Sequence, residues 1–122
     1  MANSINWFEI PSNNFDRACK FYSEIFGGPV HVTDMGGDMK MGMLPNFSQD
    51  GAVGGHISSN PDSKPVDNGV MVYLNGGEDL QVILDKVEPA GGKIVMPKTK
   101  SPGGYMAIFK DSEGNRLALH NF

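Results

Sequence analysis

Glu9, His56, Tyr73 and His120 are the residues of this chain whose types and spacing could do chemistry together. His56 and His120 stand 64 residues apart, and so do Glu9 and Tyr73. Two imidazoles and a carboxylate suffice to hold a catalytic divalent metal with open coordination positions. The same groups also serve a metal-free site, with the carboxylate or an imidazole as general base and the others as hydrogen-bond donors. Each residue has a structural reading beside the chemical one. The histidines could be sheet-rim residues satisfied by neighbours or water, and Tyr73 a core residue whose hydroxyl reaches one partner. Glu9 could close the first strand through a salt bridge or hydrogen bond, because an inward carboxylate in an apolar strand must be paired or wetted.

The interval of 64 is a property of the whole chain. Residues 7–28 (WFEIPSNNFDRACKFYSEIFGG) read as a strand, a polar break, a helix and a double-glycine stop, and residues 71–92 (MVYLNGGEDLQVILDKVEPAGG) repeat that plan at the same offset. A repeat covering half the chain predicts two similar modules. The first strand, 5–10, ends at Pro11 and places Trp7 and Glu9 on one face, Phe8 and Ile10 on the other. Asn13 or Asn14 is suited to cap the helix that follows. Phe15, Ala18, Cys19, Tyr22, Ile25 and Phe26 form its buried stripe, and Gly27 ends it. Three strands follow, at 29–34, at 38–44 with Met39, Met41 and Met43 on one face, and at 51–58. A polar linker with two prolines occupies 60–68. The second module then reads as a strand at 70–74, a helix at 78–88 with Leu80, Ile83, Leu84 and Val87 inward, a strand at 93–96 and a loop at 97–103. Paired strands at 105–110 and 117–121 close it, joined through DSEGN, whose Gly114 and Asn115 suit positive φ. The expected organisation is one domain, 1–122, with module one at about 4–59 and module two at about 69–122.

Composition narrows the function classes. The 122 residues carry a formal net charge of −4 with both signs interspersed, which argues against a nucleic-acid footprint. No apolar run approaches a membrane span, the N-terminus lacks a secretory pattern, and one cysteine allows no internal disulfide, so the expectation is a cytoplasmic protein. Cys19 lies on the helix stripe and reads as a small buried apolar residue rather than a nucleophile.

Two βαβββ units in series, with FEIPSNNFDRACKFYSEIFGG, VEPAGGKIVMPKT and MAIFKDSEGNRLALH as the carrying segments, resemble the vicinal oxygen chelate superfamily of glyoxalase I, extradiol dioxygenases and bleomycin-resistance proteins. The resemblance implies an α+β fold. Its two modules form mostly antiparallel sheets curved into a cup, with helices outside, a small molecule inside and often a homodimer. In relatives that do chemistry, the first and last strands of each unit supply metal ligands. Those positions correspond here to Trp7, Gly54, Met71 and Ala118, none of which offers an imidazole or carboxylate. Two residues further along each strand, on the same face, come Glu9, His56, Tyr73 and His120. No cofactor is therefore expected. The alternative is a displaced divalent site (Zn, Ni, Fe or Mn) built from Glu9, His56 and His120, serving a lyase, isomerase or dioxygenase. The favoured expectation is a small-molecule-binding cup lined by Trp7, Met41, Met43, Met71 and Met106, with no nucleic-acid or membrane partner. Methionine suits such a lining because its thioether repacks around differing ligands.

Overall fold

A computed structural model describes residues 4–45 and 52–122. The start of the strand expected at 51–58 lies outside the described residues. The chain divides into two compact units, Met1–Pro65 and Val66–Phe122, and the division falls inside the polar stretch at 60–68.

The first unit runs β1 (Trp7–Pro11), α1 (Phe15–Phe26), β2 (His31–Asp34), β3 (Lys40–Met43) and β4 (Gly54–Ser58). Its four strands are ordered β1-β4-β3-β2; β1 lies parallel to β4, and the other two pairings are antiparallel. Asn14, in extended backbone, caps α1 by accepting from the Arg17 N–H at 3.1 Å, and Gly27 ends the helix at φ 65°. Ala18, Phe21, Tyr22 and Ile25 are its buried residues. Phe21 is outside the stripe expected from sequence, while Phe15, Cys19 and Phe26 keep some exposure, so the buried face is rotated toward Phe21. Ile10 and Ile57 are buried in the sheet, and a Cβ on Gly42 would stand 2.9 Å from the Cys19 sulfur. By alternation, Glu9, Met41, His56 and Ser58 project from the face turned away from α1.

Burial pushes the Cys19 thiol up to about 11 from 9.0, with the Asp16 charge adding to the effect. Below pH 9 this leaves roughly a hundredth of the thiolate an ordinary cysteine presents. Alkylation of Cys19 by iodoacetamide at pH 8 is expected to run about 100-fold slower than that of a free cysteine, and to reach the free rate on unfolding. Equal rates for native and unfolded protein would show the thiol to be exposed. The raised value carries a sign for stability as well. The native state holds this proton more tightly than the unfolded chain, so its contribution is intact below pH 9 and is lost as the pH rises through 11.

The second unit runs β5 (Tyr73–Asn75), α2 (Gln81–Val87), β6 (Lys93–Ser101), β7 (Gly104–Lys110) and β8 (Arg116–Asn121), ordered β5-β8-β7-β6 with β5 parallel to β8. Leu80, Leu84 and Val87 are buried, as are Leu74, Ala107, Phe109, Leu117 and Leu119. The loop expected at 97–103 is instead largely strand. β6 is an edge strand, so Pro97 is tolerated there, and irregularities between Ile94 and Met96 and between Met96 and Thr99 absorb it. Asp111 organises the β7–β8 turn. One carboxylate oxygen accepts from the N–H groups of Glu113 and Asn115, and the other from the Asn115 side-chain amide, each at 2.9 Å. Gly114 takes φ 89° within it. Among the described residues, no helix is long and apolar enough to cross a membrane.

The two parallel pairings differ in register. Trp7 lies opposite Gly54 and Glu9 opposite His56, whereas Tyr73 lies opposite Ala118 and Asn75 opposite His120. The interval of 64 therefore relates the last strands, but in the first strands it carries Glu9 onto Tyr73, whose strand position corresponds to that of Trp7. Met71 precedes β5 and is not paired there; Asn75 takes the place equivalent to Glu9.

Candidate functional site

The first unit assembles a chain of three side chains on adjoining parallel strands. Trp7 on β1 donates its indole N–H to Nδ1 of His56 on β4 at 2.7 Å, and Nε2 of His56 lies 3.3 Å from a Glu9 carboxylate oxygen. The indole and imidazole rings stack with centroids 6.0 Å apart. An indole nitrogen only donates, so Nδ1 must be the acceptor and the neutral ring carries its proton on Nε2, facing Glu9. His56 is 7% exposed, while the Glu9 side chain is 43% exposed and so reaches solvent beside a buried, oriented ring. The pairing of Glu9 with His56 is the strand-closing contact that an inward carboxylate requires. It also holds one carboxylate oxygen beside the ring.

Beside this chain is a pocket of about 200 Å³ whose walls include Glu9, His56, Ser58, Met35, Met39 and Met41. Of the methionines and tryptophan expected to line a ligand site, Met41 borders this pocket. Trp7 stands behind His56, and Met43 pairs with His56 across the β3–β4 ladder without entering the wall. Met35 and Ser58 are participants that sequence reasoning missed. One further step of two along β4 from His56 reaches Ser58, so the strand alternation held that signal. Met35 sits in the β2–β3 turn and no periodicity points to it.

In the second unit Tyr73 and His120 do meet, edge to face, with ring centroids 6.3 Å apart, and Phe122 also packs edge to face with His120, centroids 4.5 Å apart. Tyr73 is exposed rather than core. Met106 lies opposite His120 on β7, and Met71 borders a separate small recess. Of the displaced metal set, Glu9 and His56 belong to the first unit and His120 to the second. Among the described residues, no group of three or more His, Cys, Asp and Glu side chains is gathered as a metal ion would need.

The donor chemistry at His56 also fits a divalent ion poorly. A histidine that ligates a metal through one nitrogen ordinarily donates the N–H of the other to an acceptor. Here the second nitrogen already accepts from Trp7, so a metal on Nε2 would require a ring with no proton on either nitrogen.

Two βαβββ modules, each an open four-stranded mixed sheet with one helix, define the class of protein. Residues 4–119 match the family described as the Glyoxalase/Bleomycin resistance protein/Dioxygenase superfamily, and the chain belongs to it. A glyoxylase-like domain-containing protein from Didymella fabae is 30% identical over 128 residues, covering 98% of this chain and 94% of the relative. Among solved structures, a glyoxalase/bleomycin resistance protein from Albidiferax ferrireducens T118 superposes with a TM-score of 0.73 at 17% identity, covering 96% of this chain and 97% of that one. TnmS3, an antibiotic binding protein from Streptomyces sp. CB03234, gives a TM-score of 0.66 at 21% identity over 98% and 97%. At these identities the structural likenesses speak for the fold.

Proposed function

We propose that this chain is a metal-independent small-molecule-binding member of the superfamily, with its ligand seated in the methionine-walled pocket of the first unit against Glu9. The observation that carries the reading is the Trp7–His56–Glu9 chain. It commits Nδ1 of His56 to the indole and turns the Nε2 proton toward Glu9, so both nitrogens are occupied in organising a carboxylate. Trp7, Gly54, Met71 and Ala118, where the resemblance puts the family's ligands, support the same reading; Tyr73 is paired with Ala118 as Trp7 is with Gly54. An oriented, half-exposed carboxylate beside an apolar wall binds a polar end of a ligand. Should the ligand carry an acidic C–H or O–H proton there, the same group is placed to accept it.

The sole tryptophan is Trp7, so emission excited selectively at tryptophan, outside tyrosine absorption, reads this site. A library of aromatic, glycopeptide and thiol-conjugate compounds should contain at least one that shifts Trp7 emission saturably and raises the melting temperature. Protein purified without chelator should carry divalent metal well below one equivalent. A stoichiometric ion lost in His56→Ala would overturn the reading in favour of a metal-dependent lyase, isomerase or dioxygenase. Assembly as a homodimer belongs to the same proposal, since β1, β2, β5 and β6 are the edge strands of the two described sheets and a second copy would cover them. Sedimentation as a monomer at micromolar concentration would refute it.

A further inference from the structure

Ser58 is 4% exposed, and its hydroxyl has no hydrogen-bond partner among the described residues, although it borders the pocket that also contains Glu9. A buried hydroxyl left unpaired is costly and rare enough to call for an explanation. It does not serve the fold: the Ser58 carbonyl accepts from the Ser12 hydroxyl at 2.7 Å, which holds the end of β4 without the Ser58 side chain. Resting on the function proposed above, we infer that the Ser58 hydroxyl and the Glu9 carboxylate are two polar anchors for one ligand. That ligand is a small organic cation, an amine on an apolar body with a hydrogen-bonding oxygen a few ångströms from the nitrogen.

Each part of that description comes from a feature of the pocket. Glu9 stands opposite His56, and Ser58 lies two residues beyond on the same strand face, which puts the two anchor positions on a diagonal of roughly 8 Å between Cα atoms. Glu9 is the carboxylate of the wall, and Lys40 also borders it. Lys40 alternates with Met41, so its Cβ is turned to the opposite sheet face from Glu9, while its carbonyl accepts from the Ser59 N–H and its own N–H donates to the Ser59 hydroxyl. Met35, Met39 and Met41 present polarisable thioethers suited to an aromatic or aliphatic body. The volume of about 200 Å³ is below that of pockets for drug-sized molecules, so the occupant is small or is one end of something larger.

Three probes of matched shape separate the features: 2-amino-1-phenylethanol, which has both the amine and the hydroxyl; 2-phenylethylamine, which lacks the hydroxyl; and 3-phenylpropionate, which reverses the charge. Binding is followed by Trp7 emission and by the methyl resonances of Met35, Met39 and Met41, which locate the ligand. The hydroxylated amine should bind about tenfold more tightly than the plain amine, as one satisfied hydrogen bond implies, and the carboxylate should not bind. Ser58→Ala should erase the advantage of the hydroxylated amine while leaving the melting temperature of the free protein unchanged or raised. Glu9→Gln should erase the preference for amine over carboxylate. A melting temperature lowered by Ser58→Ala with ligand preference intact would make the hydroxyl structural and overturn the inference. So would equal binding of carboxylate and amine, or no methyl shift with any of the three probes. If instead neutral or anionic members of the broad library move the same methyl resonances, the pocket is a binding site and only the cation assignment fails.

Discussion

Asp111→Ala is expected to lower the free energy of unfolding by about 3–5 kcal/mol, from three charge-assisted hydrogen bonds lost at a buried position at about 1.5–3 kcal/mol each, less what relaxation recovers. Asp111 is 4% exposed, and its removal strands the backbone donors of Glu113 and Asn115 together with the Asn115 side-chain amide. The damage extends beyond the turn. The oxygen of the Asn115 amide accepts from Val66 N–H at 3.1 Å, and the Arg116 N–H donates to the Val66 carbonyl at 3.3 Å, so the same motif ties the start of the second unit to β8. Urea unfolding followed by circular dichroism measures the loss. Asp111→Asn should cost less, since an amide oxygen still accepts from two of the donors. A change under 1 kcal/mol for the alanine variant would mean that water replaces the carboxylate and that the turn is not a stability determinant.

That turn is also where the sequence was most legible. DSEGN reads as a hairpin turn because Gly114 and Asn115 suit positive φ, and Gly114 does take φ 89°; that the buried Asp111 carboxylate anchors the turn is seen only in the structure. The caps of α1 were readable for the same reason: Asn14 and Gly27 act through backbone geometry that few residues satisfy. Where packing decides, local pattern was weaker. Phe21 is buried although the stripe of threes and fours passes it by, because the sheet on which α1 lies sets the rotation of the helix. Pro97 suggested a loop because proline cannot donate to a ladder. The strand continues through it because β6 is an edge, a fact of topology that no local window contains. The candidate site divides in the same way. Alternation correctly put Glu9 and His56 on one face, and the parallel pairing makes them neighbours. The match between Glu9 and Tyr73 assumed one register for both first strands. The second slides by two residues, a shift that preserves the face of every side chain and so leaves no trace in hydrophobic pattern. What Trp7 does was invisible for a simpler reason. Judged by type it cannot be a metal ligand, and only the geometry reveals that its N–H decides where the proton of its neighbour sits.

His56→Ala is expected to have the largest effect at the site itself, lowering stability by about 2–3 kcal/mol and weakening any pocket ligand by at least roughly tenfold. The stability loss comes from the volume vacated by a buried ring and from the indole N–H left to whatever water can reach it. The binding loss comes through Glu9, which without the imidazole beside it is no longer held at the pocket wall. Trp7→Phe separates these causes. It keeps most of the ring contact but removes the donor, freeing Nδ1 to take a proton and the tautomer to change. In the wild-type background it should cost about 1 kcal/mol, and in the His56→Ala background nearly nothing, so the double-mutant cycle should return a coupling of about 1 kcal/mol. The cycle also bears on metal chemistry. If the coupling is real, the wild-type ring has no nitrogen to spare, and titration with Zn²⁺ or Ni²⁺ should bind more tightly to Trp7→Phe than to the wild type, because the substitution allows Nδ1–H and a free lone pair on Nε2. Zero coupling, with wild-type protein binding the ion at least as well as the variant, would return His56 to the ligand-competent state seen in metal-using sites and remove the main support for a metal-independent pocket.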